Sequence, residues 1–210
     1  MRKHPGCFAA CNRGHTFSSA ATSDAHYQLP RIDRTRKELD QNELAVFRQF
    51  VPDVDSMMIC HAWYPCFESQ PTPATVSRRI VTELLRNEFR FDGLVMTDDL
   101  DMGAILTGYR LDDTIRLCLA AGNDIMMLCH RVPEIETVHQ ILGTLPSDQI
   151  EGAQHHIANF KKNLSPPQKF SESACQKINA KIADLRTAVV GEEEAGKVVT
   201  ERQISPVERF

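Results

Sequence analysis

A chain of 210 residues that is 42% hydrophobic and 25% charged can bury one sizeable core, which excludes a disordered or fibrous protein. Its net charge of −4 argues against a general nucleic-acid binder. No apolar run approaches a membrane span, and Met1-Arg2-Lys3-His4-Pro5 has no apolar stretch of signal-peptide type. The seven cysteines are odd in number, and Cys60, Cys118 and Cys129 sit in apolar patterns. They read as free thiols in a reducing compartment, so a cytoplasmic protein is expected.

In chain order, residues 1 to 23 are the least regular, and Cys7 to Ser23 reads as an insert without regular structure. Cys7, Cys11 and His15 lack the close pair and fourth ligand of a structural zinc site, so no metal is expected there. Pro30 to Arg36 is a polar connection. Asn42 to Phe50 reads as a helix, with Leu44, Val46, Phe47 and Phe50 apolar. Ser56 to His61 is an apolar strand, and His61 at its end is either a site-lining group or a satisfied core histidine. A Pro-rich loop, 63 to 75, leads to a helix capped by Thr75 or Ser77, with Ile80, Leu84, Leu85 and Phe89 on its apolar face.

Gly93 is read as the breaker of that helix. Leu94, Val95 and Met96 then form a short apolar run, as a buried parallel strand requires. Asp98, Asp99 and Asp101 follow at once, before a new helical pattern. Asp99 or Asp101 reads as the cap of that next helix. Asp98, last on the strand, is the acid that a cap does not explain. Leu111 to Ala121 is an amphipathic helix stopped by Gly122, Asp124 to Cys129 another strand, and Pro133 to Leu142 the next helix, with Ile135, Val138 and Ile141 on one face. Helices are also expected over 147 to 164, ended by Ser165-Pro166-Pro167, and over 171 to 190, before a charged tail from Gly191. His155 and His156 read as surface residues, and Met57, Met58, Met126 and Met127 as core. Helix and apolar strand alternate at βα spacing, which predicts a parallel sheet.

Phe91-Asp92-Gly93-Leu94-Val95-Met96-Thr97-Asp98-Asp99-Leu100-Asp101-Met102 resembles the nucleophile segment of family 3 glycoside hydrolases, in the branch of β-N-acetylhexosaminidases. Asp24-Ala25-His26-Tyr27-Gln28-Leu29-Pro30 is similar to that branch's Asp-Ser-His acid/base loop. Met57 to His61 with Pro73 to Ser77 resembles its sixth strand and following loop, and Leu119 to Met126 the entry to its eighth. Lys3-His4-Pro5-Gly6 resembles its Lys-His-Phe-Pro-Gly segment without the Phe. Four blocks in family order make the resemblance specific. It covers residues 3 to 163, and it matches only the later half of that family's catalytic barrel.

The resemblance implies an α/β protein: a partial (β/α)8 barrel of about the last four βα units with extra C-terminal helices. Residues 1–164 would form the partial catalytic domain, and 165–210 a C-terminal helix and loose tail. It implies hydrolysis of a terminal β-linked N-acetylglucosamine with retention, with carbohydrate as partner and no cofactor. Asp98 would be the nucleophile, His26 the proton carrier and Asp24 its orienting partner. Lys3, His4 and His61 would bind substrate. A phosphorylase and an inactive, sugar-binding remnant are the alternatives. A half barrel leaves two open sheet edges, so self-association or a separate first half-barrel is expected, and a chain acting alone is expected to be a poor enzyme.

Overall fold

The computed structural model describes residues 23–166 and 169–195, and the backbone of residues 4–8. Lys3, most of the expected Cys7–Ser23 insert and the tail beyond Ala195 lie outside the described residues. Contacts divide the described chain into two units, one ending at Asn163 and one beginning at Leu164.

The first unit is built on four parallel strands in the order β1 (His4–Phe8), β2 (Val54–Ile59), β3 (Leu94–Asp99) and β4 (Ile125–Met127). The register sets Cys7 beside Met58, Met58 beside Met96, and Met96 beside Ile125. Side chains alternate between the faces of a strand. Met57, Ile59 and Val95 therefore share one face, where they join Ile80, Val81, Leu84 and Leu85 in the main core. Burying each such side chain contributes about 1.5–3 kcal/mol. Met58, Met96 and Asp98 share the other face and stay half-buried. A second cluster, Leu100, Ile105, Ile115, Cys118 and Val138, carries the helices Leu111–Ala121 and Glu134–Gly143 against the β3 and β4 ends. Burial pushes the Cys118 thiol up to about 12, so it is inert at neutral pH.

Several expectations shift by a few residues, and some are corrected. The helix expected from Asn42 runs Glu43–Phe50, but Val46 and Phe50 are exposed. A helix stands before it, Arg36–Gln41, inside and just after the expected polar connection. Its signal is a capping box: Thr35 and Glu38 bond each other's backbone amides. Of the two candidate caps further on, Ser77 takes the role, since its Oγ accepts the Ile80 amide at 3.3 Å. The helix Arg79–Glu88 is wound wide, with the Phe89 amide reaching back to the Leu84 carbonyl. It ends well before Gly93; the turn is made by Arg90, at a φ of 57°. Gly122 closes Leu111–Ala121 at a φ of 107°, where a side chain would be strained.

His156 is not a free surface residue. Its Nδ1 lies 2.8 Å from Asp124 Oδ1, while Asp124 Oδ2 accepts from Arg86 and from the Val95 amide, both at 2.7 Å. This ties the helix Ser147–Lys162 to the start of β3. In the second unit the helix Glu172–Val190 is capped by Ser171, whose Oγ accepts the Ala174 amide. Its Ile178, Ile182 and Leu185 are exposed. Among the described residues no helix is long and apolar enough to cross a membrane.

Candidate active site

The apolar run of β3 carries the chain to Asp98 and Asp99, which are its last two residues. Asp98 is half-buried on the same face as Met96, away from the main core. Its Oδ1 accepts the Asp99 amide at 2.8 Å, which fixes the direction of the carboxylate. The next two acids do not cap the following helix, Gly103–Leu106, which has no side-chain cap at all. They bind the segment after β4 instead. Asp99 Oδ1 accepts the amides of Asp101 and Cys129 at 3.0 and 3.1 Å. Asp101 accepts the amides of His130 and Arg131 at 2.8 and 2.9 Å, and the Arg131 guanidinium at 2.7 Å. Burial alone would raise the Asp101 carboxyl, but these donors outweigh it and hold it below the usual carboxylate range. The sequence signal for this clamp was the spacing of acids at 99 and 101 ahead of a basic residue after the next strand, a pattern too common to read unaided.

The same acids reach Cys129. Burial, then the charges of Asp99, Asp101 and Asp98 together with a bond to Asp99, push its thiol up. A thiol raised in this way is no nucleophile at neutral pH.

His61 stands two residues beyond β2 and is fully buried. Its Nε2 is 2.9 Å from the Asp99 carbonyl and its Nδ1 is 2.7 Å from Thr75 Oγ1. A carbonyl only accepts, so Nε2 carries a proton. Burial lowers the ring's pKa, opposed by the negative charges of Asp98 and Asp99 and by the bond to the Asp99 carbonyl. In the neutral ring Nδ1 accepts from Thr75; in the charged ring Thr75 turns its single proton to the Cys60 carbonyl, 2.8 Å away. These are the surroundings of a satisfied, buried histidine. Both ring nitrogens are occupied, and one of them holds the Asp99 carbonyl at the end of β3. Thr75, read as a cap, is the partner that makes this possible.

Asp24 and His26 sit in a tight turn in which the amides of Tyr27 and Gln28 donate to the Asp24 carbonyl. Asp24 Oδ1 accepts the His26 amide at 2.9 Å and faces His26 Nδ1 at 2.7 Å. A carboxylate there favours the tautomer with its proton on Nδ1. The turn packs onto the segment after β3: Ala25 and Leu29 meet Met102 and Ala104. His4 opens β1, and Lys3 lies outside the described residues. Among the described residues no three His, Cys, Asp or Glu side chains converge as a metal site.

The family model for the "Glycosyl hydrolase family 3 N terminal domain" matches residues 12–160, which is most of the chain. The chain belongs to glycosyl hydrolase family 3. Within that family it is similar to a Beta-hexosaminidase of Pseudomonas aeruginosa, 34% identical over 128 residues, 60% of this chain and 38% of that protein. A Beta-hexosaminidase of Chromobacterium violaceum is 27% identical over 146 residues, 69% of this chain and 40% of that one. Among solved structures, the family 3 beta-N-acetylglucosaminidase from Paenibacillus sp. str. FPU-7 shares 28% identity at a TM-score of 0.66, covering 72% of this chain and 31% of its own. M tuberculosis LpqI shares 25% at a TM-score of 0.61, covering 70% and 45%. The α/β fold with its parallel sheet and flanking helices is thus that of family 3 structures. The chain spans less than half the length of these relatives.

Proposed function

We propose that the chain acts as part of a retaining family 3 β-N-acetylglucosaminidase, with Asp98 as nucleophile and His26 as acid/base. The observation that carries this reading is a juxtaposition. β3 ends in a carboxylate on the face away from the main core, and the Asp24–His26 turn is packed on the residues just beyond it. Asp98 attacks the anomeric carbon as the bond to the leaving oxygen breaks. The electron pair stays on that oxygen, which takes a proton from His26 Nε2. Asp24 stabilises the imidazolium form that gives this proton and that forms again in the second step. A water then attacks the glycosyl ester, His26 takes its proton, and the carboxylate of Asp98 is released. No organic cofactor or metal enters these steps.

The sheet supports a place in the later half of a (β/α)8 barrel, with β1 to β4 as consecutive parallel strands joined through helices. Residues 1–164 would carry this role, and 165–210 would follow as a C-terminal helix and tail. Lys3 and His4, at the end of the chain nearest β1, would hold sugar hydroxyls. The half-buried Met58 and Met96 and the two outer strands would be covered by a second copy or by a separate first half-barrel. The thiols of Cys66, Cys118, Cys129 and Cys175, outside any disulfide, fit a cytoplasmic setting, and cell-wall fragments are the substrate class we favour.

The deciding assay is the release of free sugar from an aryl β-N-acetylglucosaminide by the purified protein, with and without Asp98→Ala. Free N-acetylglucosamine supports hydrolysis. A sugar-1-phosphate formed only in phosphate buffer would replace it with phosphorolysis. Binding of N-acetylglucosamine with no turnover at all would leave a sugar-binding remnant.

A further inference from the structure

The turn that carries His26 is docked on the helix Gly103–Leu106 through its backbone. The amide of Gly103 donates to the His26 carbonyl and that of Ala104 to the Ala25 carbonyl, both at 3.0 Å. These two amides open a helix and have no partner within it, so the turn satisfies donors that would otherwise need water. Ala25 is buried against Met102 and Ala104, which closes the contact.

Such an approach needs room at position 103. A Cβ built on Gly103 would lie 2.5 Å from the Tyr27 carbonyl oxygen, 2.6 Å from its carbon and 2.8 Å from the His26 carbonyl oxygen. All three are backbone atoms, so no side-chain rotation relieves the clash. Any other residue at 103 forces the helix and the turn apart. By contrast, a Cβ on Gly108, just beyond the same helix, would meet nothing within 4 Å.

We infer that Gly103 is a positioning residue for acid/base chemistry: its missing side chain seats the His26 turn on the chain just beyond the nucleophile. The inference rests on reading His26 as the acid/base. It has a consequence that ordinary helix propensity reverses. Alanine is a better helix former than glycine, so Gly103→Ala would be neutral or stabilising if only the helix mattered. Here it unseats the turn, and His26 loses its seat beside the β3 end.

The seat can be read without activity. In the wild-type protein the Gly103 and Ala104 amides are expected to be protected from hydrogen exchange. Their exchange in Gly103→Ala is expected to rise on the order of tenfold or more, with the amides of Val95 and Met127 unchanged. Gly108→Ala, which swaps the same residue types in open space, should change neither. In turnover, Gly103→Ala should lose more rate on a substrate with a poor leaving group than on one with an acidic phenol, as His26→Ala does. Unprotected Gly103 and Ala104 amides in the wild type would overturn the inference, and so would full protection in Gly103→Ala. Loss of protection with no leaving-group dependence would overturn the positioning role. His26→Ala, assayed alongside, shows whether the acid/base assignment has failed instead.

Discussion

The end of β3 and the Asp24–His26 turn are held in opposite ways. The strand end is tied from several sides. Asp99 and Asp101, 8% and 1% exposed, fasten it to residues 129–131, and buried His61 fastens its backbone to the loop at Thr75. Among the described residues, the turn meets the chain beyond β3 through two backbone hydrogen bonds and a small apolar cluster, and the Asp24 side chain is half exposed. The difference fits the two tasks proposed for them. A nucleophile must meet one carbon at a fixed distance, and strands hold such geometry more closely than loops. A group that gives a proton in one step and takes one in the next must serve two different oxygens, and a docked turn can adjust between them.

Substitutions should therefore separate rate from stability. Asp98→Ala is expected to lose about four orders of magnitude or more in kcat, since nucleophile removal is that severe in comparable enzymes. Its thermal midpoint should stay near that of the wild type, because among the described residues the one hydrogen bond to its carboxylate comes from its neighbour's amide. Turnover close to normal would remove Asp98 from the chemistry. For His26→Ala the expected loss is about 10²- to 10⁴-fold on a poorly activated substrate and much less on an acidic phenol. Equal losses on both substrates would make the turn structural and erase the contrast between the two regions.

Asp101→Ala tests the other side. It strands the amides of His130 and Arg131 and a guanidinium that is itself 33% exposed, so about 2 kcal/mol of stability should be lost in denaturant unfolding at pH 7. The carboxyl is held below its ordinary value of 3.8, so its contribution is present above that pH and fades as pH falls through the lowered value. The wild-type and variant curves should thus converge only in strong acid. A variant as stable as the wild type at pH 7 would mean that the strand end is not clamped.

The smallest expected effect is a pH slope at His61. Burial lowers its pKa from 6.5, so the unfolded chain takes up a proton that the folded chain refuses. Stability should therefore fall as pH drops below about 6.5, by at most about 1.4 kcal/mol per pH unit. His61→Asn should flatten that slope. An unchanged slope would show that the ring charges freely in the fold.

Most of what positions the site was legible in the pattern of residues. The apolar run 94–96, the acids after it and the alternation of helix and strand follow from period and burial alone, and the strand and its neighbours stand where those features place them. The roles of individual polar residues were not legible. Asp99 or Asp101 reads from sequence as a helix cap because a cap is local, whereas the two acids hold amides about thirty residues on, in the turn after β4. Thr75, one of two candidate caps for the same reason, instead gives its hydroxyl to His61 across the loop. The capping box at Thr35–Glu38 was local and went unread inside a stretch judged by its polarity. Gly103 has no local signal at all, since the atoms that exclude a side chain there belong to a turn some seventy-five residues earlier.

The covalent intermediate on Asp98 is the point on which the functional reading stands. It can be trapped with an activated fluorinated β-N-acetylglucosaminide, whose ester to the enzyme breaks down slowly, and located by mass spectrometry of the digested protein. A single added sugar on the peptide containing Asp98, absent from Asp98→Ala, is the expected result. A label on Asp24, Asp99 or Asp101 instead, or cleavage that inverts the anomeric centre with no ester formed, would contradict it.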